Sequence, residues 1–324
     1  MLYQIPALRK YPNVLMTVGA ICIYLATILT LHFFMDKLPA DEGRDYAVDG
    51  KLSKGKPRGA GIVFIVNFML GFFIFSPVNT EYVIYVGLVF IEMMTGFLDD
   101  QAKVSWGRLK KGILDLVVSI FLATTYMFYN GHSIYLCSLK QSYELPGWLF
   151  FIGVVALVWI SINVTNCADG VDGLSGTLTL VTLLSFYMTD LHFIYLGRFA
   201  FSVMFFGAAL LAYLWFNANP SRCMMGDAGS RAMGIFIAVA ALKSNKPVLY
   251  IPFALMLILD GGLGLFKVTF IKIFKVNPLK NIRTPLHDHV RKNLKENWSN
   301  NQVVMRFCIV QIMISFVTIY LLLR

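Results

Sequence analysis

The chain has 324 residues, of which 57% are hydrophobic and only 14% charged, with a mean hydropathy of +0.67. A soluble globular domain carries about 25% charged residues, so this composition excludes one and points to a polytopic membrane protein. The net charge of +10 follows the loops between apolar runs, which reads as membrane topology and not as nucleic-acid binding.

Apolar runs long enough to cross a bilayer, about 17–25 residues each with frayed ends, fall at 12–34, 59–76, 82–98, 112–129, 147–163, 173–189, 198–216, 230–243, 248–271 and 302–323. The first is too long for a signal-peptide core of about 7–15 residues and lacks a small-residue cleavage site, so it is read as a retained span. Lipid satisfies no backbone polar groups, which makes helices the expected form. The runs are continuous, without the alternation of a barrel strand. The expectation is therefore an all-α integral membrane protein with about ten transmembrane helices, forming a single polytopic domain over 1–324. Five scattered cysteines (Cys22, Cys137, Cys167, Cys223, Cys308) have no paired spacing and support neither a disulfide framework nor a zinc site.

Ten spans put both termini on one side, and the lysines and arginines say which. Loops 35–58, 99–111 and 272–301 hold 17 of them, against 7 on the whole opposite side. By the positive-inside rule the side with 17 is cytoplasmic. Both termini are then extracytoplasmic.

Four polar clusters fall on that cytoplasmic face. The densest is Asn163 to Gly176, N-V-T-N-C-A-D-G-V-D-G-L-S-G, with no lysine or arginine. Its glycines let backbone approach a ligand, its amides can hydrogen-bond a heterocycle or sugar, and carboxylates at a membrane boundary imply a cation or a functional partner. It is read as binding a nucleotide-linked substrate and a divalent metal. Asp99 and Asp100 end the third run, where the helix dipole disfavours carboxylates. Either they form a solvated acidic cap, or they need a cation, for which Lys103 or Mg2+ would serve. Asp227 opens the eighth run in G-D-A-G-S. It could cap that helix, or hold Mg2+ bridged to a phosphate on the helix amides. His287 and His289 flank Asp288 in T-P-L-H-D-H. The pair suits zinc better than Mg2+, and beside Arg283, Arg291 and Lys292 the preferred reading is phosphate binding. The run Lys54-Gly55-Lys56-Pro57-Arg58-Gly59 could contact phosphate or be a positive-inside flank. Glu92, Asp115 and Asp260 lie in or near spans and receive no chemistry. No P-loop and no G-x-G-x-x-G occur, so ATP hydrolysis and dinucleotide chemistry have no support.

The motifs F-L-D-D at 97–100, N-C-A-D-G-V-D-G-L at 166–174, F-N-A-N-P with M-G-D-A-G-S over 216–230, and T-P-L-H-D-H at 284–289 resemble the polyprenyl-phosphate N-acetylhexosamine-1-phosphate transferases. The tail W-S-N-N-Q-V-V-M-R-F from Trp298 to Phe307, together with T-P-L-H, resembles the phospho-N-acetylmuramoyl-pentapeptide transferase branch. The resemblance implies a multi-pass enzyme of the bacterial inner (cytoplasmic) membrane, usually a homodimer, with its site facing the cytoplasm. It implies transfer of phospho-N-acetylmuramoyl-pentapeptide from UDP-N-acetylmuramoyl-pentapeptide to undecaprenyl phosphate, giving lipid I and UMP for peptidoglycan synthesis, with Mg2+. By motif, Asp227 matches the Mg2+ ligand and Asp99 and Asp100 the catalytic acidic pair, with Asp99 favoured as the base. Asn166, Asp169, Gly170 and Asp172 match the nucleotide and catalytic loop, and Asn217 an asparagine near the nucleotide. Lys103, Lys111 and Lys54 are read as substrate-binding, and His287 and His289 as catalytic. Met224 stands where the family commonly has an aromatic beside uracil, and His287-Asp288-His289 where it commonly has three histidines. A sister transferase using UDP-N-acetylglucosamine is the nearer alternative. A secondary transporter would place ionisable groups near the bilayer midplane in paired repeats, whereas here they cluster at one face.

Overall fold

The computed structural model describes residues 1–43, 53–102, 104–136, 140–193 and 197–323. After short turns at Leu2–Gln4 and Pro6–Arg9, the helices in chain order begin with α1 (Pro12–Phe34), α2 (Gly61–Phe75), α3 (Thr80–Asp100) and α4 (Arg108–Asn130). They continue with α5 (Gly147–Cys167), α6 (Leu174–Phe193), α7 (Ala200–Asn217) and α8 (Gly226–Lys243). The remainder are α9 (Pro247–Phe253), α10 (Leu255–Phe274), α11 (Leu286–Lys292) and α12 (Asn300–Leu323). The boundaries have local causes. Pro12 opens α1, where its missing N–H costs nothing. Asn79 caps α3 by accepting from the Tyr82 N–H at 2.8 Å. Gly131, at φ 75°, ends α4. Among the described residues the fold is helical except for one antiparallel hairpin, β1 (Ser133–Leu136) with β2 (Gln141–Glu144), in register Ile134 to Tyr143.

Among the described residues, seven helices are long and apolar enough to cross a membrane: α1, α3, α4, α5, α6, α7 and α12. The other expected spans differ in three ways. Helix α2 is apolar but has only 15 residues, about 22 Å at 1.5 Å per residue. Helix α8 opens with the polar run G-D-A-G-S-R and is not among the apolar seven. The run expected as one span at 248–271 is two helices, α9 and α10, bent by 69°. Averaged hydropathy hides that break because its residues are nearly all apolar. The break is nonetheless satisfied: Gln311 of α12 accepts from the Met256 N–H at 2.9 Å and donates to the Pro252 carbonyl at 2.9 Å. A π-helical turn follows at Ile258–Gly262, around Asp260-Gly261-Gly262.

Helix α8 is the axis of the molecule. Every residue from Gly226 to Leu242 is buried. Glycines allow this enclosure. A Cβ on Gly61 of α2 would strike the Gly229 backbone, one on Gly96 of α3 the Asp227–Ala228 backbone, and Gly234 lies against the Ile162 backbone of α5. Small residues let helices meet backbone to backbone within a membrane. Ion pairs fix the axis as well. Arg231 is buried between Glu92 of α3, at 3.2 Å, and Asp115 of α4. At the far end Lys243 meets Glu81 at 2.8 Å and the Asn130 side-chain oxygen at 2.8 Å. The N-terminus of α8 is thereby held against the ends of α3 and α4, and the acidic residues gather there.

Candidate active site

Asp99 and Asp100 are the last two residues of α3, and Asp227 is the second of α8. Adjacent positions on a helix point about 100° apart, and the two carboxylates do different things. Asp100 reaches the start of α8: its oxygens accept from the Asp227 N–H at 3.1 Å and the Ala228 N–H at 3.2 Å. It therefore caps that helix from outside. Asp227 is not the cap, and the amides expected to cradle a phosphate are already taken by the chain's own carboxylate. Asp99 instead accepts from the Trp106 N–H at 2.6 Å and pairs with Lys111 in the first turn of α4. Lys111 Nζ also lies 2.8 Å from Asp227 Oδ2. Asp99 and Asp227 are 4% and 7% exposed, so this shared ammonium offsets half the charge of two nearly dry carboxylates.

The second cation is Arg58. Its Nη2 lies 2.9 Å from Asp100 Oδ1 and 3.7 Å from Asp227 Oδ1, and its Nη1 lies 3.3 Å from Asp41 Oδ1. Burial pulls the guanidinium pKa down, but Asp100, Asp227, Asp41 and Asp169 outweigh it and the net shift is upward. Arg58 is placed by backbone pairing: the Met224 N–H donates to the Pro57 carbonyl at 2.8 Å and the Ala60 N–H to the Met224 carbonyl at 3.0 Å. Met224 thus sits half-buried against the 57–61 segment, beside the carboxylates. Lys54 is exposed on the preceding turn, and Lys56 is the lysine that engages the site. Lys56 donates to Ser221 Oγ at 3.0 Å and lies 3.7 Å from Asp172. Lys103 lies outside the described residues, and the cations found beside the acidic pair are Lys111 and Arg58.

The glycine-rich loop after α5 closes the other side. Asn166 donates to Ser230 Oγ of α8 at 2.9 Å. Asn217 accepts from the Gly173 N–H at 2.8 Å and donates to the Cys223 carbonyl at 2.9 Å. Its buried amide braces two loops against each other. Burial pushes the neighbouring Cys223 thiol up to about 12, which leaves it inert near neutral pH. Asp169 belongs to the same field through Arg58. Gly170 lies so close to His287 that a Cβ there would overlap the ring. His287 opens α11 and is buried; its Nδ1 lies 2.7 Å from Asp260 Oδ2 and its N–H donates to Asp260 Oδ1 at 2.7 Å. His289 faces away from that pair and accepts from the Arg283 N–H at 3.2 Å.

The structure therefore brings together Asp99, Asp100, Asp227 and Lys111, and sets the 166–172 loop and His287 beside them. Arg58, Lys56, Asp41 and Asp260 join the site without having been assigned to it from sequence. The K-G-K-P-R-G run was the available signal for the first two, and an aspartate followed by two glycines inside an apolar run was the signal for the last. Among the described residues no three His, Cys, Asp or Glu side chains form a metal cage by themselves. Mg2+ ordinarily takes one or two carboxylates and completes its shell with water and phosphate oxygens. Asp227 and Asp99, which already share one cation, supply that kind of hard-oxygen donor set.

Residues 82–245 match the model for glycosyl transferase family 4, a stretch that holds Asp99 through Asp227 but not Arg58 or His287. A phospho-N-acetylmuramoyl-pentapeptide-transferase of Treponema pallidum (strain Nichols) is 37% identical over 294 residues, covering 85% of this chain and 80% of the relative. One from Thermoanaerobacter sp. (strain X514) is 29% identical over 319 residues, covering 95% and 98%. One from Wolbachia pipientis wMel is 24% identical over 285 residues, covering 83% and 85%. The chain belongs to the phospho-N-acetylmuramoyl-pentapeptide-transferase family.

Proposed function

We propose that the chain transfers phospho-N-acetylmuramoyl-pentapeptide from UDP-N-acetylmuramoyl-pentapeptide to undecaprenyl phosphate, giving lipid I and UMP. The observation that carries the reading is the convergence of Asp99, Asp100 and Asp227 with Lys111 and Arg58 at the start of a fully enclosed helix. One substrate is a membrane lipid and the other is water-soluble, so the site belongs at a membrane boundary. The lysine and arginine distribution supports the cytoplasmic side and a ten-helix topology with both termini outside.

The chain's residues divide the work. A lipid-phosphate oxygen attacks the β-phosphorus of the UDP-sugar, the bond from that phosphorus to the bridging oxygen breaks, and UMP leaves. Asp99 accepts the proton of the lipid phosphate. Its pairing with Lys111 sets its direction, and once the proton has moved Lys111 keeps Asp227 as its carboxylate partner and gains a position for phosphate oxygens. Arg58 lies beside Asp100 and Asp227, where the donor's negative charge would gather. Phosphoryl transfer relies mainly on positioning and charge stabilisation, which two cations in a dry site supply. Asp227 would hold Mg2+; when bound, the ion neutralises diphosphate charge and eases departure of UMP. The test is to give purified protein undecaprenyl phosphate with UDP-N-acetylmuramoyl-pentapeptide or UDP-N-acetylglucosamine and to identify the lipid product. Lipid I from the first donor alone is expected. Product from the second alone would move the chain to the sister activity.

A further inference from the structure

We infer that Asp260 is a positioning residue that fixes the proton of His287 on Nδ1 and leaves the Nε2 lone pair facing the nucleotide loop. The inference rests on the transferase reading for its functional consequence, and on geometry alone for the proton. Asp260 is fully buried, and both of its oxygens engage one residue: Oδ1 accepts the His287 backbone N–H at 2.7 Å, and Oδ2 faces the ring Nδ1 at 2.7 Å. A carboxylate only accepts, so the nitrogen facing it carries the hydrogen. A neutral ring then has its acceptor at Nε2.

The surroundings aim that atom. Nε2 is the ring atom nearest to where a Cβ of Gly170 would be, so it faces the loop that carries Asp169 and Asp172. Its other close neighbour is Asp288 Oδ1 at 3.8 Å, and Asp288 is in turn held by Arg291 at 3.4 Å. Asp260 is held in place as well. It lies in the π-helical turn of the broken span, and Gly261 packs directly on the Val164 carbonyl and the Ala168 N–H at the end of α5, where no side chain would fit. The turn therefore ties three pieces together: the end of α5, the break before α10, and the start of α11. A carboxylate that merely capped α11 needs only the backbone contact. The second contact, to the ring, makes Nε2 the nitrogen that can take up a proton on the side of the loop.

Asparagine separates the two roles. Asp260→Asn keeps an acceptor for the His287 N–H, but its amide nitrogen donates to Nδ1 and moves the ring proton to Nε2. The same tautomer inversion in a serine-protease triad lowers kcat by about 10⁴. The experiment uses the full chain in detergent with 15N-labelled histidine. There are five histidines, and the His287 signal is assigned by its loss in His287→Gln. Wild-type protein is expected to show His287 protonated at Nδ1, and Asp260→Asn to show it protonated at Nε2. UMP release should fall by at least roughly 10²-fold, within the range for loss of a positioned acid or base, at unchanged affinity for the UDP donor. An Nε2-protonated His287 in wild type would overturn the proposal. So would an Asp260→Asn protein that keeps the wild-type tautomer or full turnover. Should the asparagine variant fail to fold, the wild-type spectrum still decides. The spectrum needs no turnover, so a wild-type protein that releases no UMP counts against the proposed reaction and not against this proton assignment.

Discussion

Asp100 begins the helix that carries Asp227: its carboxylate accepts from the Asp227 N–H at 3.1 Å, although 127 residues separate them in the chain. The contact gives the adjacent acids at the end of α3 separate jobs. Asp100 holds the start of α8 in place, and Asp99 faces Lys111.

The first prediction follows from the cap. Asp100→Ala removes both acceptors of the α8 N-terminus and should cost about 1–2 kcal/mol, the upper range for a lost N-cap. Asp100→Asn keeps one acceptor and should lose clearly less. Thermal unfolding of the detergent-solubilised protein reads both. Equal destabilisation by the two variants would show that charge toward Arg58, and not capping, is what Asp100 contributes.

Asp99→Asn separates chemistry from binding. The amide keeps the size and the acceptor for the Trp106 N–H but takes no proton. Turnover should fall roughly 10²–10⁴-fold, with UDP-donor affinity preserved in a direct binding measurement. Retained turnover at saturating substrates would remove Asp99 from the acid–base role.

Arg58 touches Asp41, Asp100 and Asp227 through two nitrogens of one planar fork. A lysine offers a single charged point and cannot span all three. Arg58→Lys should therefore lower kcat/KM by at least about tenfold, a loss of roughly 1.4 kcal/mol of transition-state stabilisation. Steady-state UMP release measures it, and an unchanged kcat/KM would mean that any positive charge suffices there.

Gly170→Ala places a methyl group into the His287 ring. Gly112→Ala is the control, since its new methyl would meet only Trp159 at 3.9 Å. The first should lose most of its donor affinity and melt below wild type, because the buried ring must shift, and the second should be unaffected in both. Equal behaviour of the two in isothermal binding would break the proposed contact between the glycine-rich loop and α11.

Much of this was legible in the chain and part of it was not, for physical reasons. The polar clusters around Asp99, Asn166, Asp227 and His287 stand out because lipid tolerates so few such residues, and the structure gathers them at one end of α8. The cations were harder to place. Lys103 is near Asp99 in sequence, but the first turn of α4 brings Lys111 to it across space, and Arg58 arrives from a segment 41 positions before Asp99. Pairing between helices depends on packing, which chain order does not reveal. The break before α10 was hidden because a hydropathy average counts Pro252 and the two glycines as ordinary members of an apolar run. Full enclosure of α8 was also hidden, because the glycines that permit it, Gly61 on α2, Gly96 on α3 and Gly234 on α8 itself, mark close contact only once their partners are known.

The most direct measurement of the proposed transfer is UMP release by purified wild-type and Asp227→Asn protein given UDP-N-acetylmuramoyl-pentapeptide and Mg2+, with and without undecaprenyl phosphate. UMP is expected from wild type only when the lipid is present, matched mole for mole by lipid I, and none above background from Asp227→Asn protein that retains its melting temperature. UMP released without the lipid, or near-normal release by the folded Asp227→Asn protein, would contradict the proposed transfer.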